Sequence, residues 1–220
     1  ADPWFYVEDL TDSLDEEQFE RITGQKRDKI KRERLRLIKS GDGTHWLIES
    51  QYLAPITRNP DDFPSIQIRE ADIKTRAVVI DTPREKLRNK HIKAYIKHGE
   101  TKLYNMGKRR QMVPANTLTC SGRRYWYQLP DVRPSCLLWQ KAIDRYHRHY
   151  VCDTPTLANQ RFYNIYPKAP SDEMLIACCL NSSLTSLYLE FQRAAMGLGA
   201  IEATVEEVRQ LPVIEPSKIS

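Results

Sequence analysis

Strand-like and helix-like stretches alternate along this chain and predict a mixed α/β fold. Three observations carry that expectation. Short apolar runs rich in β-branched and aromatic residues, at 65–68, 77–80 (AVVI), 136–139 (CLLW) and 150–152 (YVC), read as strands. Residues 82–99 and 171–191 place apolar side chains at helical spacing, and the charge order of 13–39 matches a helix. Gly41-Asp42-Gly43 is a turn signal, and after it strands and short helices replace the helical opening.

Taken in order, Ser13 and Glu16 have capping-box spacing, acids cluster at Glu16, Glu17 and Glu20, and bases run from Lys26 to Lys39. That order suits a helix macrodipole, with Gly24 able to divide the stretch into two helices. Trp46, Leu47, Ile48, Tyr52 and Leu53 are core candidates. AVVI reads as a flat, internal strand. From Thr82 to Gly99 a helix turns Leu87, Ile92, Tyr95 and Ile96 inward and Arg84, Lys86, Arg88, Lys90, Lys93 and Lys97 outward. CLLW and YVC pair across a turn holding Asp144, Arg145, His147, Arg148 and His149.

The last long pattern is expected as one amphipathic helix. Ser171 is its N-cap, Asp172 and Glu173 meet the positive end of its dipole, and Leu180, Leu184, Leu187 and Phe191 form its stripe. Gly197 and Gly199 end it. Thr204 and Glu207 then open a short helix that Pro212 stops.

Charge narrows the function classes. The formal net charge is +5, yet residues 84–148 carry sixteen Lys or Arg against four acids, a surplus that suits a polyanion and equally a solvated basic face. The basic triplet Lys108, Arg109 and Arg110, and the pair Arg123 and Arg124 ahead of Tyr125, Trp126 and Tyr127, offer arginine forks for phosphate or a guanine edge beside aromatic rings. In a strand, Tyr125 and Tyr127 would share one face and Trp126 the other, where packing competes with contact. Asn116, Arg145 and Arg148 join the candidates, the last two at a hairpin tip suited to phosphate. Asn159 and Gln160 have side chains able to reach an adenine, although Asn159 is expected rather to fix its own loop through backbone hydrogen bonds. Five cysteines without CxxC spacing read as reduced thiols, and zinc is not expected. With 29% charged residues and no long apolar run, neither a membrane span nor a signal peptide is expected, and the compartment expected is cytoplasmic.

Several motifs also resemble a known family. LNSSLTSLYLEFQRAAMGLGAIEATVEEVRQLPV is similar to the end of the target recognition domain of adenine-N6 DNA methyltransferases, including TaqI-type and fused restriction-modification enzymes, with type I specificity subunits similar in outline. THWLIESQYLAPITRNPDDF, the Tyr95-Ile96 to Gly99-Glu100 ending, Arg124-x-Trp126-Tyr127-x-Leu129, and ANQRFYNIYP resemble further segments of that domain in the same order. The resemblance implies a twisted mixed sheet with flanking helices and the Leu180 helix packed beside it. It divides the chain into a helical linker over 1–40 and a recognition domain over 41–220. It also implies double-stranded DNA as partner, together with the catalytic methyltransferase domain of a parent chain. Asp2-Pro3-Trp4 lacks the second proline of the methyltransferase motif, so catalysis and the cofactor S-adenosylmethionine are expected in that other domain and not here. Two alternatives stay open: an RNA or single-strand binder, and an assembly module using Leu180, Leu184 and Leu187.

Overall fold

The structure, a computed structural model of the 220-residue chain, describes residues 2–105, 111–130, 133–143, 147–192 and 201–214. Its elements begin with α1 (Asp2–Phe5), β1 (Tyr6–Asp9), α2 (Glu16–Thr23), α3 (Arg27–Arg32), β2 (Leu35–Lys39), β3 (His45–Glu49) and β4 (Leu53–Thr57). Next come β5 (Gln67–Ile68), β6 (Thr75–Val78), α4 (Lys90–Thr101), β7 (Tyr104–Asn105), β8 (Gln111–Met112) and α5 (Leu118–Ser121). The order closes with β9 (Ser135–Gln140), β10 (Ala142–Ile143), β11 (His149–Ala158), β12 (Phe162–Ile165), α6 (Glu173–Leu180), α7 (Ser183–Gln192), β13 (Ile201–Glu202) and α8 (Val205–Arg209). The fold is mixed α/β, a twisted mixed sheet with flanking helices, as expected. The chain divides into one unit of residues 1–55 and 74–132, and a second of 56–73 and 133–220.

In the first unit the strand order is β4-β6-β1-β2-β3, all antiparallel. The AVVI stretch is internal as expected, although the strand takes only its first two residues: β6 pairs with β4 on one side and β1 on the other, Ala77 and Val78 are fully buried, and β6 ends at Val78. Residues 1–40 therefore supply two strands of this sheet besides α2 and α3, where a helical linker was expected. The cap of α2 is Asp15, whose carboxylate accepts from the Gln18 amide at 2.7 Å, and not Ser13. Gly24, at φ 68°, ends that helix as expected, in a left-handed conformation that costs glycine least.

Trp4 belongs to the core. It is fully buried and stacks on Tyr95 at 4.8 Å, and its indole N–H donates to the Tyr95 carbonyl at 3.3 Å. Helix α4 presents Ile92, Tyr95 and Ile96 to that core, as its spacing predicts. It starts at Lys90, later than expected, because residues 84–86 form a 3-10 turn behind Pro83. The buried carboxylate of Glu49 accepts the amides of His91 and Ile92 at 3.1 and 3.0 Å, so it satisfies two of the donors that a helix start leaves unpaired. A second buried carboxylate, Asp9, takes Arg36 at 2.6 Å and Arg76 at 3.1 Å.

In the second unit β9 and β11 form the expected antiparallel pair, with Leu138 opposite Tyr150. β12 flanks β9, and β5 runs parallel to β11. Ile56 and Thr57, the last residues of β4, also pair in parallel with Leu157 and Ala158. One core gathers Phe63, Ile68, Leu138, Tyr150 and Phe162; another gathers Trp139, Leu180, Leu189, Ala203 and Leu211.

The single amphipathic helix is instead two helices, α6 and α7, bent by 61°. Asn181 causes the break: its amide donates to the His149 and Ala177 carbonyls and accepts from the His149 amide, each at 2.9 Å. Ser182 restarts the helix by accepting from the Thr185 amide at 3.2 Å. The bend splits the predicted stripe. Leu180 is buried, whereas Leu184, Leu187 and Phe191 are exposed, and Leu189 takes the inward place. Gly197 and Gly199 lie outside the described residues. Thr204 and Glu207 form the expected capping box for α8. Among the described residues no single helix is long and apolar enough to cross a membrane.

Candidate nucleic-acid interface

The turn 123–127 shows how the first unit disposes of its predicted contacts. Residues 122–127 form turns and not a strand, but the aromatic rings still separate onto two sides, as a strand would have placed them. Tyr125 and Tyr127 stack at 5.6 Å, and Trp126 goes the other way against Trp4 at 4.7 Å. A Cβ added to Gly99 would fall 2.4 Å from the Trp126 ring, so this glycine of α4 is what admits the indole. Trp126 donates to Glu100 at 3.2 Å, and Glu100 also holds Arg84 at 2.7 Å. Tyr127 donates to the Thr82 carbonyl, and burial, followed by the nearby Glu85 charge, raises its phenol above the ordinary range. These three rings are packing elements.

The arginines divide in the same way. Arg123 is half-buried, donates to the Gln128 carbonyl at 2.7 Å and lies 5.0 Å from the Phe5 ring centre. Its geometry is that of a side chain holding the turn. Arg124 is exposed, with its guanidinium 5.2 Å from the Tyr125 ring centre, so its fork is supported and open. Asn116 is exposed at the end of a 3-10 turn. On α4 and just before it, Arg88, Lys90 and Lys97 are exposed and Lys93 is half-buried, and none has an ion pair among the described residues. Lys108, Arg109, Arg110 and Arg145 lie outside the described residues.

In the second unit Asn159 fixes its own loop. Its amide donates to the Thr57 carbonyl at 3.2 Å and its side-chain oxygen accepts from the Arg161 amide at 2.9 Å. That turn presents Gln160 and Arg161 to solvent. Gln160 was a candidate from the sequence and Arg161 was not; an arginine in the turn after Asn159 was the available signal. Arg148 is half-buried. His149 is no tip residue: it lies in β11, buried and stacked on Trp139 at 3.8 Å. Burial, helped by nearby His147, depresses its pKa to about 3. It is neutral at neutral pH and offers no charge to a phosphate.

The remaining chemistry is quiet. Cys120, Cys136, Cys152, Cys178 and Cys179 are all free, and burial pushes the Cys152 thiol up to about 12, away from reactivity. Among the described residues no three His, Cys, Asp or Glu side chains group as metal ligands. A donor loop for S-adenosylmethionine needs a glycine-rich turn from a strand into a helix. The described glycines end α2, form the β2–β3 turn, pack inside α4 or follow α5.

This is a mixed α/β fold with exposed cations and no metal-ligand cluster among its described residues. The chain belongs to the family described as the C-terminal domain of the type II methyltransferase M.Eco57I, whose model matches residues 44–220. No curated protein matches it.

Proposed function

We propose that the chain is the target recognition domain of an adenine-N6 DNA methyltransferase or fused restriction-modification enzyme, binding double-stranded DNA by sequence. The observation that carries this reading is membership of a methyltransferase C-terminal family over residues 44–220. The cations of α4, without an ion pair among the described residues, and the exposed fork of Arg124 support it. Lysines and arginines hold the backbone, with Lys108, Arg109, Arg110, Arg124, Arg145 and Arg148 as contacts and Asn116 and Gln160 as polar partners. Asn159 and Arg123 position the turns that carry such contacts. The chain binds; the catalytic domain of the parent enzyme, with S-adenosylmethionine, flips and methylates the adenine.

Competition between duplex DNA, single-stranded DNA and RNA tests this. Duplex should win, with an affinity that falls steeply as salt rises. Preference for single strands overturns the reading. A second reading, an assembly face for the parent's catalytic domain, is favoured by the exposure of Leu184, Leu187 and Phe191. Leu184→Asp with Leu187→Asp should then abolish association with that domain and leave duplex binding intact.

A further inference from the structure

The second unit holds a cleft of about 660 Å³, in the size range of ligand sites, whose lining includes Asn59, Asp61, Lys141, Gln160, Arg161 and Glu202. The turn between β11 and β12 meets the strand end at Gln140 through the Lys141 amide, which donates to the Arg161 carbonyl at 3.1 Å. Arg161 is aimed. Its Nη1 donates to the Asn59 side-chain oxygen at 2.6 Å, while Nε and Nη2 have no hydrogen bond among the described residues. Gln140, by contrast, spends its amide on the Ala142 carbonyl and the Tyr150 hydroxyl, so it is a wall. Lys141 lies 4.2 Å from the Tyr163 ring centre, and Gln160 has no hydrogen bond among the described residues.

Charge decides what such a cleft takes. Lys141 and Arg161 are matched in number by Asp61 and Glu202, so the lining carries no net formal charge to favour a phosphate and little counterion release would reward one there. A base-pair edge is neutral and asks for matched donors and acceptors instead. The major-groove edge of a G·C pair offers the guanine O6 and N7 acceptors and the cytosine N4 donor. An arginine fork and a carboxylate are its complement.

We propose that this cleft is a base-reading site, in which Arg161, positioned by Asn59, grips the O6/N7 edge of a guanine and a carboxylate of the same lining accepts from the paired cytosine. This rests on the duplex-binding reading above. It adds the site, the base pair and two residues, Asn59 and Arg161, that were not among the DNA contacts expected from the sequence.

Selection by the full chain from a duplex pool with a randomised core tests it, followed by binding measurements with Arg161→Lys, Arg161→Ala and Asn59→Ala. The unaltered chain should fix at least one G·C position. Arg161→Lys keeps the charge and loses the fork, and should reduce discrimination at that position about 5- to 150-fold with an unchanged salt slope. Asn59→Ala should weaken discrimination at the same position and no other, which mere destabilisation would not do. If the variants keep the selected sequence, or if Arg161→Ala lowers affinity for all duplexes alike and flattens the salt slope by about one, the cleft is not a base reader. If the unaltered chain binds no duplex, the proposed function and this inference both fall.

Discussion

Arg123 and Arg161 have similar local sequences, each in a short polar turn beside aromatic residues, and opposite fates. Arg123 donates inward to a backbone carbonyl and lies over Phe5. The Arg161 guanidinium makes one hydrogen bond among the described residues, to Asn59, and remains exposed with donors to spare. A basic turn is available to a partner only where its own fold leaves the fork without acceptors. The 123–127 turn folds over α1 and α4, whose Phe5, Trp4, Gly99 and Glu100 receive its side chains. The 159–161 turn uses only Asn159 to close itself, so the next two side chains project.

That contrast can be broken most visibly at Trp126. Trp126→Ala should lower unfolding free energy by about 3 kcal/mol in urea titrations, since a large ring against Trp4 and Gly99 is removed. Unchanged stability with lost single-strand binding would make the indole a stacking platform instead.

His149 sharpens the comparison, because its ring is buried yet neither nitrogen has a partner among the described residues. Its folded pKa of about 3 lies below the ordinary 6.5, so the unfolded chain takes up the proton first. Its contribution is complete above about pH 6.5 and is lost as pH falls from there toward 3. Between pH 7 and pH 5 the loss should be about 2 kcal/mol, and His149→Gln should flatten this part of the stability profile.

Arg123→Ala should cost about 1.5 kcal/mol and leave the salt slope of DNA binding unchanged, as befits a side chain bonded to the Gln128 carbonyl. Smallest of all, Arg124→Ala should change stability by less than about 0.5 kcal/mol while reducing that slope by about one. Reversal of the last two outcomes would exchange the roles assigned to the neighbours.

Much of the fold was legible because burial imposes a period on the sequence. AVVI, CLLW and YVC are strands or parts of strands, and Ile92, Tyr95 and Ile96 share one buried helix face. The Thr204–Glu207 cap was legible because it is local. The stripe through Leu180, Leu184 and Leu187 misled because the bend depends on Asn181 bonding to His149, a strand residue 32 positions away. The two strands in the first 40 residues were hidden by their charges: Arg36 of β2 is neutralised by an ion pair with Asp9 of the neighbouring β1, 2.6 Å away.

The sequence by itself determined the mixed α/β character, the concentration of cations between residues 84 and 148, and a set of motifs whose family the match over 44–220 shows. Only the tertiary structure decided which arginines are consumed internally, that Glu49 caps a helix, and that Asn59 aims Arg161. Periodicity records which side chains leave water. It does not record which distant acceptor a polar group will find, because that pairing exists only once the chain has folded.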